Sequence, residues 1–263
     1  MCGQAGVKWR AARQRVFSIR GVPAQFGAGS RMIPLRDENP ASRAPIVTRI
    51  LIAINVLVFL YEVAAGPALR EIMFTWGLVP LRLTLALDRG TEPLLQASIP
   101  LVSSMFLHGG WMHLLGNMWY LAIFGDNVED RFGHGAYLVF YLFAGLAGGV
   151  LHYAFNAHSQ LPTVGASGAI AGVLGAYAVA FPRARVLTLV PLFPFFQLMA
   201  LPALVVLGLW FLFQFFTGAL SLAWNPGGGG VAWWGHIGGF TFGVLAMAIF
   251  GGRRAASEAW VER

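Results

Sequence analysis

The sequence predicts an all-α polytopic membrane protein with six transmembrane helices. Hydrophobic residues make up 57% of the 263 residues and charged residues only 11%, whereas soluble domains carry about 25% charged residues. Six apolar segments also approach the roughly 20 residues that a transmembrane helix needs. These two observations exclude an ordinary soluble domain, because folding in water would leave large apolar patches exposed.

The chain is divided into three parts. Residues 1–44 are polar and basic and lack an apolar period, so we expect a disordered cytosolic segment without a cleaved signal. Met32 is a second plausible first residue. Residues 45–252 form the membrane domain, and residues 253–263 form a short cytosolic tail. The single cysteine, Cys2, excludes an intrachain disulfide.

The spans are predicted from the spacing of charges, glycines and prolines. Arg49 and Glu62 lie near the ends of the first span, where long charged side chains can reach the interface. Asp126 to Gly133 is expected to be a short solvated loop. No charge occurs from Val186 to Trp224, and prolines 191, 194 and 202 divide this stretch into an interfacial or re-entrant segment and a fifth span. The spans cover residues 46–65, 110–125, 136–155, 164–181, 201–220 and 231–252.

The loop charges predict the orientation of the spans. With six spans both termini lie on one side, and 15 of the 18 Lys and Arg residues fall on that side. The positive-inside rule places it in the cytosol. The basic residues cluster before the first span, which favours a membrane-facing segment and excludes a nucleic-acid groove.

Three polar residues are expected to meet at one depth in the bilayer. His113, Ser167 and His236 each lie near the start of a span that runs from outside to inside. Polar side chains within a bilayer usually face the protein interior or a water-filled cavity. Glycines 168, 172 and 175 on the fourth span and 235, 239 and 243 on the sixth allow close helix packing. A packing role for these small residues is the alternative reading of the Ser167 motif.

This arrangement predicts nucleophilic catalysis. The His236 imidazole can accept the proton of the Ser167 hydroxyl and return it to a leaving amine. No Asp or Glu lies within spans two to six as predicted, so we expect a dyad without a carboxylate. His113 and Asn117 are four residues apart on one helical face, and with the Ser167 backbone N–H they could hold an oxyanion.

Three motifs resemble those of the rhomboid intramembrane serine proteases, of the bacterial six-span type: Gly165-Ala166-Ser167-Gly168, Gly235-His236-Ile237-Gly238-Gly239 and His113-Leu114-Leu115-Gly116-Asn117. The resemblance implies a six-span rhomboid protease domain over residues 45–252. It makes Ser167 the nucleophile and His236 the base, with His113 and Asn117 in the oxyanion hole. Many family members carry a Trp-Arg pair where this chain has about Ile99-Pro100. His108, Gly165, Trp210 and Phe215 are the candidate cavity or gate residues.

The resemblance also implies the partners and the location. We expect transmembrane protein substrates cleaved within or near their membrane segments, a bacterial inner membrane, no cofactor, no metal and no nucleic acid. The fifth span is the candidate wall through which a substrate enters. An inactive rhomboid-like binding or quality-control protein is the alternative, although such a protein would be expected to lose the Ser or the His. A transporter ranks last, because it predicts a charged site at the bilayer midplane.

Overall fold

The computed structural model describes residues 32–192, 195–224 and 232–251, and it is mostly helical. Its helices are α1 Ile46–Ala64, α2 Leu69–Trp76, α3 Pro80–Arg89, α4 Leu94–Ser98, α5 Pro100–Ser103, α6 Trp111–Phe132, α7 His134–Asn156, α8 Ser167–Ala180, α9 Ala203–Trp224 and α10 Trp233–Phe250. Short 3₁₀ turns cover Gly66–Ala68 and Ser104–Phe106. Three strands, β1 Ile33–Asp37, β2 Arg185–Leu192 and β3 Phe195–Pro202, form one sheet.

Four helices are long and apolar enough to cross a bilayer, among the residues described: Ile46–Ala64, His134–Asn156, Ala203–Leu220 and Trp233–Phe250. They coincide with the first, third, fifth and sixth predicted spans. The second and fourth predicted spans, which correspond to α6 and α8, are not among these four helices, for separate reasons. The α6 helix carries four charged residues in its last two turns, and α8 has only 14 residues. The protein is therefore a helical membrane protein with at least four candidate spans.

Helix α8 is the centre of the bundle. Every residue from Ala169 to Ala178 is buried, and the helix packs against α6, α7, α9 and α10. Its residues are small or apolar on all sides, as expected for a helix with no solvent-facing side. Because α8 begins at Ser167, the first residue of the most buried helix carries the candidate nucleophile.

The glycines of α8 and α10 allow backbone contact between the two helices. A Cβ added at Gly239 would collide with the Gly168 carbonyl oxygen, and a Cβ at Gly243 would collide with that of Gly172. A Cβ at Gly175 would collide in turn with the Phe240 carbonyl. The close approach expected from the glycine spacing is therefore confirmed.

The sheet corrects two predictions. Residues 33–37 are ordered as β1 instead of disordered, and they pair antiparallel with β2. The stretch from Arg185, expected to be an interfacial or re-entrant segment, contains two antiparallel strands, β2 and β3. Residues 33–37 are a strand because they pair with β2 across about 150 residues of chain. The Trp119 indole N–H also donates to the Pro34 carbonyl at 2.7 Å, which attaches β1 to α6.

The end of α6 corrects a third prediction. Residues 126–132 continue the helix instead of forming a solvated turn. The Glu129 side chain is 1% exposed and accepts hydrogen bonds from the N–H groups of Val47 and Thr48 and from the Thr48 hydroxyl, all at 2.7–2.8 Å. It thereby satisfies free N–H groups in the first turn of α1. Acidic residues close to a glycine in the sequence are typical of a loop, but here Glu129 caps the start of α1.

A second polar group joins β1 to the bundle on the same side. The Asp37 carboxylate accepts hydrogen bonds from Tyr177 at 2.6 Å and from Asn127 at 2.8 Å. Burial raises the pKa of Asp37 above its usual range, and the hydrogen bond from Tyr177 opposes that rise. These contacts fix the strand against α6 and α8.

Several predictions lie outside the described residues. These are the state and start of residues 1–31 and the tail of residues 253–263.

Candidate active site

Ser167 and His236 are in direct contact. The Ser167 Oγ lies 2.8 Å from His236 Nε2, within hydrogen-bond distance. The two residues are 69 positions apart and belong to α8 and α10. His236 is 8% exposed. A buried imidazole that reaches a serine hydroxyl can act as a general base toward it.

The backbone before Ser167 adopts a conformation that requires glycine. Gly165 has a φ of +126°, and a Cβ placed on it would lie 2.7 Å from the His113 ring. Any other residue would therefore meet both backbone strain and a clash. The first hydrogen bond of the helix runs from Ile170 N–H to the Ala166 carbonyl. The N–H groups of Ser167, Gly168 and Ala169 thus have no partner within the helix and carry its positive partial charge.

His113 and Asn117 approach the same point from α6. The Gly109 N–H donates to His113 Nδ1 at 3.3 Å, so a neutral His113 carries its proton on Nε2. That nitrogen faces Gly165. Asn117 Nδ2 is buried without a hydrogen-bond partner in the described part of the chain, and it would lie 3.6 Å from a Cβ on Gly165. Two donors are thus directed at the turn that precedes Ser167.

His108 lies in the interior, in contact with His113. Its ring is 1% exposed, and the two ring centroids are 5.2 Å apart. The His108 backbone N–H donates to both oxygens of Glu62, at 3.2 and 3.3 Å. Glu62 is 1% exposed, so the prediction that it reaches the membrane interface is wrong. It instead holds the loop that leads into α6.

Glu62 was not predicted as a site residue, although the sequence of α1 carries a signal for it. Thr48, Asn55 and Glu62 recur every seven residues on α1, and all three are buried. A seven-residue repeat returns to the same side of a helix. Polar residues on that side indicate a stripe that faces other helices rather than lipid.

Gln214 was also missed. Its Oε1 lies 2.7 Å from His236 Nδ1, the ring nitrogen that does not face Ser167. Trp210, four residues earlier on α9, is partly buried with its ring centroid 5.8 Å from that of His236. Phe215 is 43% exposed and contacts Phe216. Trp210 and Phe215 lie on different faces of α9, because five residues rotate a helix by about 140°.

A small cavity of about 40 Å³ lies beside the pair, lined in part by Ser167, His236 and Ser104. His152 also lines this cavity. Its Nε2 lies 2.9 Å from the Thr163 hydroxyl, and its Nδ1 is buried without a partner among the described residues. A cavity of this size and polarity can hold one or a few water molecules.

Residues 32–192, 195–224 and 232–251 contain no group of three or more His, Cys, Asp or Glu side chains arranged to hold a metal ion. Proton transfer and nucleophilic attack need only a serine hydroxyl and an imidazole in contact, as Ser167 and His236 are. His113 and His108 together lack the further convergent ligands that a zinc site uses.

Comparisons with known proteins find several similar sequences. A model of the rhomboid domain matches residues 96–253. The chain is 29% identical over 204 residues to "Rhomboid protein 1, mitochondrial" of Saccharomyces cerevisiae, covering 74% of this chain and 50% of that protein. It is 33% identical over 134 residues to "Rhomboid protease GluP" of Bacillus subtilis, covering 50% and 24%. With the human "Presenilin-associated rhomboid-like protein, mitochondrial" it shares 28% identity over 148 residues, covering 55% and 36%.

The chain thus matches half or less of the length of these curated relatives. Their names include mitochondrial proteins from yeast and human and a protein from a bacterium. The expectation of a bacterial inner membrane is not supported by these names. A location in a membrane is supported by the family and by the apolar helices.

Proposed function

Because the chain belongs to the rhomboid family, we propose that it is an intramembrane serine endopeptidase that cleaves other membrane proteins within or near their transmembrane segments. The observation that carries this proposal is the 2.8 Å contact between Ser167 Oγ and His236 Nε2 in a buried site. We further propose that six helices cross the membrane: α1, α6, α7, α8, α9 and α10. Helix α8 can be short because protein surrounds it.

In the proposed reaction Ser167 Oγ attacks the scissile carbonyl carbon while its proton passes to His236 Nε2. The resulting oxyanion accepts hydrogen bonds from His113 Nε2, Asn117 Nδ2 and the Ser167 N–H. His236 then gives its proton to the departing amine as the peptide bond breaks. A water molecule, deprotonated by His236, hydrolyses the acyl-enzyme and regenerates the serine.

The substrate must expose a peptide bond that a transmembrane helix normally hides. The carbonyls of a helix are hydrogen-bonded internally, so a substrate needs small or helix-weakening residues near the cut. The alternative function is an inactive rhomboid-like protein that binds membrane clients. The retained Ser167–His236 contact favours the protease.

A fluorophosphonate probe tests the proposal directly. Such probes form a covalent bond with an activated serine, so the purified protein in detergent should be labelled, and peptide mapping should locate the adduct at Ser167. Ser167→Ala is the matched control and should remain unlabelled. Labelling of both proteins to the same extent, or of neither, contradicts the protease assignment.

We also propose that both termini lie in the cytosol, from the distribution of Lys and Arg. In a Cys2→Ser background, Leu95→Cys lies before α6, where Leu95 is 79% exposed, and should react with an impermeant maleimide added to intact cells. Arg183→Cys, between α8 and β2, should react only after the membrane is opened. The reverse labelling pattern refutes this orientation.

A further inference from the structure

We infer that Gln214 is a positioning residue that fixes the tautomer and the rotation of the His236 ring, and that it makes the base depend on the position of α9. This inference rests on the proposed protease function, because it gives Gln214 a role in the same reaction. It concerns α9, the helix through which the sequence predicts that substrates enter.

The hydrogen-bond geometry determines where the His236 proton resides. Gln214 Oε1 can only accept, so at 2.7 Å it requires a hydrogen on His236 Nδ1. A neutral imidazole carries one N–H, and Nε2 is therefore left with a free lone pair. That lone pair lies 2.8 Å from Ser167 Oγ and accepts its proton. The opposite tautomer would present an N–H to the serine and could not act as a base.

Bulk water has little access to the Gln214–His236 hydrogen bond. Gln214 is 6% exposed and His236 is 8% exposed, so neither can exchange its bond for bulk water. In a serine protease triad a carboxylate holds the histidine in the same way. A neutral amide performs this task here without placing a charge in a buried membrane site, where an unpaired carboxylate would be costly.

The residues of α9 that contact α10 are spaced four positions apart along α9. Trp210 lies over His236 and within 6.2 Å of Phe240. Gln214 follows one turn later, and Gly218 follows after another, where a Cβ would lie 3.1 Å from Trp233. The base is therefore oriented from α9, whereas the backbone of α10 is fixed by α8.

Because α9 orients the His236 ring and α8 fixes the backbone of α10, a movement of α9 alone affects the base. If α9 moves away from α10 to admit a substrate, the Gln214–His236 bond breaks and the ring is free to rotate. The base is fully oriented again only when α9 returns. Substrate entry and proton transfer thus require two successive positions of α9, and an enzyme with α9 held away from α10 should bind substrate but cleave it slowly.

The test compares two substitutions with a matched control. Gln214→Leu keeps the approximate size and removes the acceptor, while Gln214→Glu keeps an acceptor and adds a carboxylate. Leu212→Ala is the control, because Leu212 lies on the same helix and is 48% exposed. Cleavage of a transmembrane substrate is measured in proteoliposomes from pH 5 to 9, together with thermal unfolding and the ¹⁵N shifts of the histidine rings.

Gln214→Leu should lower kcat by roughly 10–100-fold with KM unchanged, because general-base catalysis contributes about 10²–10⁴-fold. Gln214→Glu should restore most of the turnover. A carboxylate beside the ring favours the imidazolium, so the acid limb of its pH–rate profile should move to higher pH by about one unit. Leu212→Ala should match the wild type in every measurement.

The ring ¹⁵N spectrum is read without substrate, so it remains decisive even if the protein is not a protease. It should show protonated Nδ1 for His236 in the wild type and a mixture of tautomers in Gln214→Leu. An unchanged tautomer in Gln214→Leu, or a kcat equal to that of Leu212→Ala, overturns the inference. A wild type that neither cleaves nor labels, but has the expected tautomer, refutes only the protease function.

Discussion

Replacing Ser167 or His236 with alanine is expected to reduce cleavage of a transmembrane substrate to the background rate. Removing either partner of a serine–histidine pair costs on the order of 10⁶-fold in kcat in a well-studied protease, because nucleophile and base act as one unit. The double substitution should therefore be no worse than either single one. Asn117→Ala should retain more activity, since the loss of one oxyanion donor costs about 3 kcal/mol.

The measurement is kcat for a purified substrate in proteoliposomes, with thermal unfolding of each variant as the control. Ser167→Ala removes one oxygen and should leave the unfolding temperature near that of the wild type. If Ser167→Ala cleaved at the wild-type rate, the nucleophile would have to be another group. Asn117→Ala as inactive as Ser167→Ala would assign Asn117 a role beyond one hydrogen bond.

Gly239→Ala is expected to destabilise the folded protein strongly. The added methyl group would collide with the Gly168 carbonyl oxygen, which belongs to a backbone and cannot rotate away. Overpacking of this kind costs about 1–3 kcal/mol and at times more, and the separation of α8 from α10 would also move His236 away from Ser167. We expect a fall in unfolding temperature of roughly 5–10 °C and a larger loss of activity than that fall explains.

Gly208→Ala is the matched control, because Gly208 also lies in a helix and a Cβ there would meet nothing within 4 Å. It should be neutral or slightly stabilising, since alanine favours a helix over glycine. Thermal unfolding in detergent and probe labelling of Ser167 compare the two variants. Equal unfolding temperatures for Gly239→Ala and Gly208→Ala would show that the α8–α10 contact is looser than described.

Local spacing was enough to predict the parts of the site that depend on one helix at a time. The glycines at positions 168 and 172, and those at 239 and 243, recur every four residues, and this spacing indicates where backbones meet. The starts of α6, α8 and α10 were also predictable from charge and orientation. For these reasons the sequence predicts that His113, Ser167 and His236 lie at one depth in the bilayer.

The contacts that were missed join distant parts of the chain. The strands β1 and β2 pair residues 33–37 with residues 186–189, and no local pattern in either segment reveals its partner. Glu129 was expected in water because it lies among charges, but its charge satisfies the first turn of α1. Gln214 is one amide within a long apolar helix, and only the position of His236 gives it a role.

The glycine contact between α8 and α10 also affects the entropy of the proposed reaction. A serine and a histidine 69 residues apart would form a reactive pair only rarely in a mobile chain. Aligned groups held in one framework behave as if their effective concentration were about 10⁵ M or more. The backbone contact at Gly168 and Gly239 provides this alignment during folding, so no turnover has to repeat it. In each cycle of the proposed reaction, what remains to be fixed is the position of α9 and, with it, the rotation of the His236 ring.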